Sequence, residues 1–157
     1  MLSGVAAAIR RLNQAQLPVV VVTNQSGVGR GYFPESLVRE VHERMISELA
    51  VEGARVDNVY YCPHVSADEC DCRKPKTGML ERAAAELRLD LKKSFVVGDR
   101  GGDVELAHRA GSRSILVRTG FGEGELAWHA AKWPHQPDFV AKDLAEAADW
   151  ILMETPR

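Results

Sequence analysis

This sequence predicts an α/β protein built on an open parallel sheet with helices on both faces, formed by 157 residues as one domain. Three observations carry that prediction. Stretches of helical apolar spacing alternate with short β-branched runs along the whole chain, the pattern of strands joined by right-handed crossovers. The run Val19-Val20-Val21-Val22 is apolar without alternation, as suits a strand covered on both faces. No repeat, low-complexity tract or long linker divides the chain.

The elements follow in order. Val5 to Gln14 is Ala-rich with apolar residues at helical spacing, and Leu17-Pro18 leads from it into the valine strand. Thr23 to Phe33 is a loop in which Gly27, Gly29 and Gly31 alternate. Pro34 opens a helix to about Val51, with Val38, Val41, Met45 and Leu49 as its apolar stripe. Val56 to Tyr61 reads as a second strand, Cys62 to Thr77 as a polar loop and Gly78 to Leu89 as a helix. Ser94 to Val97 is a third strand, ending in Gly98-Asp99, and a helix runs from there to Ala110-Gly111. Then come a strand at Ser114 to Val117, a short helix around Glu123 to Lys132, a short strand at Asp138 to Ala141 and a helix at Leu144 to Met153. Trp128, Trp133 and Trp150 read as packing residues on helix faces, and His42, His108, His129 and His135 as solvated.

Composition narrows the function. Twenty basic against 22 acidic residues give a net charge of −2, which argues against a nucleic-acid-binding face. No apolar run approaches the roughly 20 residues of a membrane span. Arg10 and Arg11 interrupt what would be the apolar part of a signal peptide, so a cytoplasmic location is expected. The three cysteines lie within eleven residues of one another, a spacing that favours a metal over a disulfide framework.

In a parallel sheet the ligand sits beyond the carboxyl ends of the strands. Three polar loops begin there and are expected to converge on one crevice: Thr23-Asn24-Gln25-Ser26, the Cys62 to Lys74 segment, and Gly98-Asp99-Arg100. Cys62, His64, Cys70 and Cys72 make the three-thiolate, one-imidazole set of a tetrahedral structural zinc site, with no position left for a substrate water. Arg73 and Lys74 follow at once, a guanidinium fork and a compact charge suited to a phosphoryl group. Asp99 and Asp103 are four apart after a buried strand, hard oxygen ligands of the kind Mg²⁺ takes; Asp103 is equally explained as a helix cap. The glycines after Ser26 fit neither G-x-G-x-x-G nor a P-loop, which leaves Thr23 and Asn24 as the useful part of that loop.

Together these motifs resemble the haloacid dehalogenase (HAD) superfamily of phosphatases. They are closer still to its subfamily of D-glycero-D-manno-heptose 1,7-bisphosphate phosphatases and histidinol-phosphate phosphatases. The resemblance rests on Val21 to Gly27, Cys62-Pro63-His64, Cys70 to Pro75 and Val97 to Arg100, and it covers nearly the whole chain as one domain, residues 1–157, with a zinc loop at 62–72. It implies that Thr23 and Lys74 stabilise the transferring phosphoryl group. It also implies that Asn24, Gln25, Ser26, Arg73 and Arg100 contact a small phosphorylated sugar, and that Asp99 binds Mg²⁺. A heptose bisphosphate is the first substrate expected, histidinol phosphate the second. The family also begins with a strand ending in D-x-D-G-T, whose first Asp is the nucleophile and whose second is the general acid/base. No apolar run followed by D-x-D occurs in this sequence. In the family that strand lies mid-sheet, so two strand edges are expected to lack a partner and to be open to pairing with another chain. The chain as given is expected to be inactive or incomplete. A start assigned too far downstream, a non-catalytic phosphosugar-binding protein and a strand donated by another chain all remain open.

Overall fold

Strands and helices alternate along residues 1–155, the part of the chain that the computed structural model describes. Helix α1 (Val5–Gln14) buries Ala6, Ala8, Ile9 and Leu12, residues at helical spacing whose small members let it lie close to the sheet. Strand β1 (Val20–Asn24) follows, then a single-turn helix α2 (Ser26–Gly29) inside the predicted loop, and helix α3 (Glu35–Val51), which starts one residue after Pro34. Strand β2 (Asn58–Cys62) and helix α4 (Gly78–Leu87) flank the cysteine loop. Strand β3 (Phe95–Gly98), helix α5 (Gly101–Ala110), strand β4 (Arg113–Val117), helix α6 (Gly122–Trp128), strand β5 (Phe139–Ala141) and helix α7 (Leu144–Glu154) complete the chain.

All the strand pairing is parallel, but it forms two separate sheets. β1 pairs with β2, with Thr23 opposite Tyr61, and β4 pairs with both β3 and β5. β1 and β3 do not pair with each other and both line the cleft between the sheets, while β2 and β5 form the outer edges. Helices cover both sides. Leu12 of α1 and Ile151 of α7 share a cluster with Ile115 and Val117, while Leu49 of α3 packs with Ile9 and Val56. On the opposite side Met79 and Ala83 of α4 meet Tyr60, and Leu80 of α4 packs with Val96 and with Leu106 of α5.

Several expectations need correction. The valine strand is half-buried along its length instead of buried on both faces, because one edge of β1 opens on a cleft. Val41 is 57% exposed although Val38 and Leu49 are buried. At 100° per residue Val41 stands about 60° round α3 from Val38, off the buried stripe. The predicted helix at 123–132 is two pieces, α6 and a 3₁₀ turn at Ala130–Lys132. Trp150 does pack, stacking on Phe139 and meeting Phe95 edge-on, but Trp128 is 78% exposed and Trp133 lies beyond the helix against Gly101. The histidines are not all solvated: His108 stacks on His135, which bonds Glu105, and His42 packs on Tyr61, where burial lowers its pKa.

Candidate active site

The crevice lies at the carboxyl ends of β1, β2 and β3. At the tip of β1, Gln25 Nε2 donates to Thr23 Oγ1 over 3.2 Å. That bond occupies a lone pair of the hydroxyl and leaves its proton free to donate elsewhere. Asn24 clamps the neighbouring loop. Its Nδ2 donates to the carbonyl of Lys74 (3.2 Å), and the Lys74 N–H donates to its Oδ1 (3.0 Å). Asn24 and Gln25 therefore spend amide groups on holding Lys74 and Thr23, where the resemblance had them on substrate. Ser26 begins α2, whose Gly29 N–H donates to the Pro63 carbonyl; a Cβ at Gly29 would overlap that oxygen, so the first loop and the cysteine loop pack backbone to backbone.

Lys74 reaches across to the first turn of α5. Its Nζ donates to Asp103 Oδ1 (2.7 Å) and to the Val22 carbonyl (3.1 Å), with the two charged side chains only 19% and 10% exposed. The second Asp103 oxygen accepts the Arg100 N–H at 3.3 Å and caps α5. Both Asp103 oxygens are thus engaged, and in this geometry Asp103 is a partner of Lys74 and a cap. Asp99 is different. Its Oδ2 accepts the Phe121 N–H at 3.0 Å, while its Oδ1 takes no hydrogen bond among the described residues. A carboxylate steadied on one oxygen and open on the other fits a hard cation such as Mg²⁺. Arg100 lays its guanidinium 3.8 Å over the Phe121 ring, and Arg73 donates to the His64 carbonyl.

The cysteine loop gathers all four expected ligands. The Sγ atoms of Cys62 and Cys70 are 3.6 Å apart, those of Cys70 and Cys72 3.5 Å, and His64 Nδ1 is 3.6 Å from Cys62 and 3.3 Å from Cys72. All four atoms lie within 4.8 Å of one another. Zn–S bonds of about 2.3 Å in a tetrahedron put sulfurs roughly 3.8 Å apart, so this donor set fits zinc. Crowding also separates the thiols. Burial, then the neighbouring Cys62 and Cys70 thiols, push Cys72 up to about 12. Burial also raises Cys70, but hydrogen bonds from Cys72, the Arg73 backbone and Cys62 outweigh it and bring it down to about 7. Lys76 ties the loop down through the Glu69 and Cys70 carbonyls.

Lys74 thus joins the end of β1, through the Val22 carbonyl beside Thr23, to Asp103, which lies against Gly98 beside Asp99 at the end of β3. The loop after β4 adds a further residue to the site. Gly120 has φ +64°, and a Cβ there would overlap Asp99 Oδ2, so only glycine lets the Phe121 N–H reach that carboxylate. The signal was present in Thr119-Gly120-Phe121-Gly122, two glycines closing a turn straight after a buried strand.

The HAD-hydrolase-like family model matches residues 71–147. The D-glycero-D-manno-heptose-1,7-bisphosphate 7-phosphatase of Thermosynechococcus vestitus is 42% identical over 96% of this chain and 82% of its own length. This chain belongs to the heptose-bisphosphate phosphatase family of HAD-like hydrolases. The D-glycero-beta-D-manno-heptose-1,7-bisphosphate 7-phosphatase of Pseudomonas putida is 42% identical over 95% of this chain and 83% of its own length. Among solved structures, the D,D-heptose 1,7-bisphosphate phosphatase of B. bronchiseptica, complexed with magnesium and phosphate, superposes with a TM-score of 0.88. It is 40% identical over 98% of this chain and 84% of that one. The enzyme of the same name from Burkholderia thailandensis gives 0.75 at 34% identity, over 98% and 86%. The HAD family membership and the parallel α/β architecture expected from the sequence are thereby established.

Proposed function

We propose that this chain is the phosphate-binding body of a Mg²⁺-dependent phosphatase acting on D-glycero-D-manno-heptose 1,7-bisphosphate in the cytoplasm, with one structural zinc in the 62–72 loop. The observation that supports the reading is the Lys74 ammonium, held between the Val22 carbonyl next to Thr23 and Asp103 next to the Gly98-Asp99 strand end. The names of the relatives favour the heptose ester over histidinol phosphate.

Each residue then has a part. The Thr23 hydroxyl, its oxygen steadied by Gln25, donates its proton to a phosphoryl oxygen. Lys74 neutralises charge that spreads over those oxygens in a loose transition state. To do so it swings part of its hydrogen bonding from Asp103 and the Val22 carbonyl to the phosphate. Asp99 would hold Mg²⁺ through its open oxygen, and the metal's charge would add to that neutralisation. Arg73 and Arg100 each offer a guanidinium fork that suits the remaining hydroxyls or the second phosphate of the sugar. Ser26 offers a hydroxyl to the same sugar.

These groups bind and polarise a phosphate ester but do not attack it. The nucleophilic aspartate that the resemblance implies is not encoded in residues 1–157. The rival reading is a zinc-bearing phosphosugar-binding protein without turnover. Phosphate release from the heptose bisphosphate with Mg²⁺ separates the two. The phosphatase reading expects none from the chain alone, and clear release once an apolar strand ending in D-x-D-G-T is joined ahead of Met1. A folded, strand-bearing protein that binds the ester and releases nothing would overturn it in favour of the binding protein.

A further inference from the structure

Phe121 stands between two glycines that fix its backbone. The Gly120 turn carries its N–H to Asp99 Oδ2, and Gly122 lies so close to the Val117 carbonyl that no Cβ would fit there. The phenyl ring gains little from the core. It is 60% exposed, and the Arg100 guanidinium lies over its face, 3.8 Å from the ring centre. At that separation the cation lies flat on the ring, because one pointing an N–H at it would stand further off. The five guanidinium donors then stay in the plane of the stack, and none of them meets an acceptor among the described residues.

An arginine among acidic residues ordinarily pairs with one of them. Here the carboxylates of the segments on either side already have partners. Asp103 holds Lys74 and the Arg100 N–H, Glu125 takes the Gly101 N–H, Glu123 pairs with Arg118, and Asp99 takes the Phe121 N–H. The backbone beneath the arginine is pinned as well, since the Arg100 carbonyl accepts the Asp103 N–H at 2.9 Å and Trp133 covers Gly101. Arg100 is thus an unneutralised cation on a fixed stem, one residue from Asp99 and sharing Asp103 with Lys74. One aromatic ring sets its direction. It is exposed where Lys74 is largely buried.

We propose that Phe121 is a positioning residue acting on two neighbours: its N–H holds Asp99, and its ring holds Arg100 ready for an anionic oxygen at the outer end of the ligand. In a sugar bisphosphate that is the phosphate that Lys74 does not hold. A side chain already stacked loses less freedom when it closes on an anion, so the ring raises affinity without touching the ligand. That Arg100 meets a sugar bisphosphate rests on the proposed function; the stack itself does not.

Calorimetric titration of the full chain separates the two effects, with Mg²⁺ alone, inorganic phosphate, D-glycero-D-manno-heptose 1,7-bisphosphate and fructose 1,6-bisphosphate as probes. Phe121→Leu keeps the N–H and loses the ring face. It should leave Mg²⁺ and inorganic phosphate affinity within about twofold and weaken the bisphosphates roughly three- to tenfold. Phe121→Tyr, which restores an aromatic face, should recover most of the loss. In an Arg100→Ala background Phe121→Leu should cost nothing further. Unchanged bisphosphate affinity in Phe121→Leu overturns the proposal. So does a loss of the same size with and without Arg100, which would mark Phe121 as packing only. Binding of fructose but not heptose bisphosphate, with the same dependence on Phe121, sustains the proposal while counting against the heptose substrate. Binding of neither bisphosphate overturns both.

Discussion

Lys74 and Asp103 share one 2.7 Å ion pair that is largely removed from water. Removing one partner leaves the other charge buried and uncompensated, which typically costs 3–5 kcal/mol for a buried pair, and about 3 here because both groups keep some exposure. Lys74→Ala should therefore lower the unfolding free energy by roughly that amount in urea titrations. The paired change Lys74→Met with Asp103→Leu should recover most of it while leaving phosphate binding abolished. Recovery of binding along with stability would show that Lys74 does not touch the anion. Gly120 acts on the other carboxylate. Gly120→Ala must strain a left-handed backbone, worth about 1 kcal/mol, and displace Asp99. Calorimetric titration should show Mg²⁺ affinity falling at least tenfold, with Tm lowered by only a few degrees. Unchanged Mg²⁺ affinity would remove Asp99 from the metal site.

At the scale of elements, the cysteine loop and the α5 surface make separate predictions. Metal analysis of the purified chain should find about one zinc per chain, and Cys70→Ser should lose it together with thermal stability. An intact, equally stable variant would count against a structural metal. On α5, hydrogen bonds from Arg109, then from His135, hold the Glu105 carboxyl below its ordinary value of 4.5. A carboxyl depressed in the folded state stabilises the fold above its unfolded pKa, and that contribution fades as pH falls below 4.5 through the folded value. Tm measured against pH should therefore decline less steeply below 4.5 for Glu105→Gln than for the unaltered chain. Identical acid limbs would mean that the Glu105 cluster is not coupled to folding.

Over the whole molecule, what could be read in advance was what depends on local pattern. The α1 and α3 helices, the parallel pairing and the four zinc-type ligands all lie in short stretches with their own periodicity or spacing. What could not be read depends on neighbours far apart in sequence. Asp103 looks like a metal ligand until Lys74, 29 positions away, is seen to take one of its oxygens. Asn24 looks free for substrate until the Lys74 backbone takes both ends of its amide. The valines of β1 look doubly buried until the cleft beside them is seen. These details share one cause: the site is assembled from loops that only the sheet brings together, and the sheet itself is divided between β1 and β3.

The claim on which the mechanism depends is that a single phosphate ester can be held by all three strand tips at once. A crystal structure of the chain with Mg²⁺ and inorganic phosphate tests it most directly. The account predicts phosphate oxygens within hydrogen-bond reach of Thr23 Oγ1 and Lys74 Nζ, and Mg²⁺ on Asp99 bridging to the same anion. Well-ordered phosphate bound elsewhere, with Thr23 and Lys74 left in their present hydrogen bonds, would contradict it.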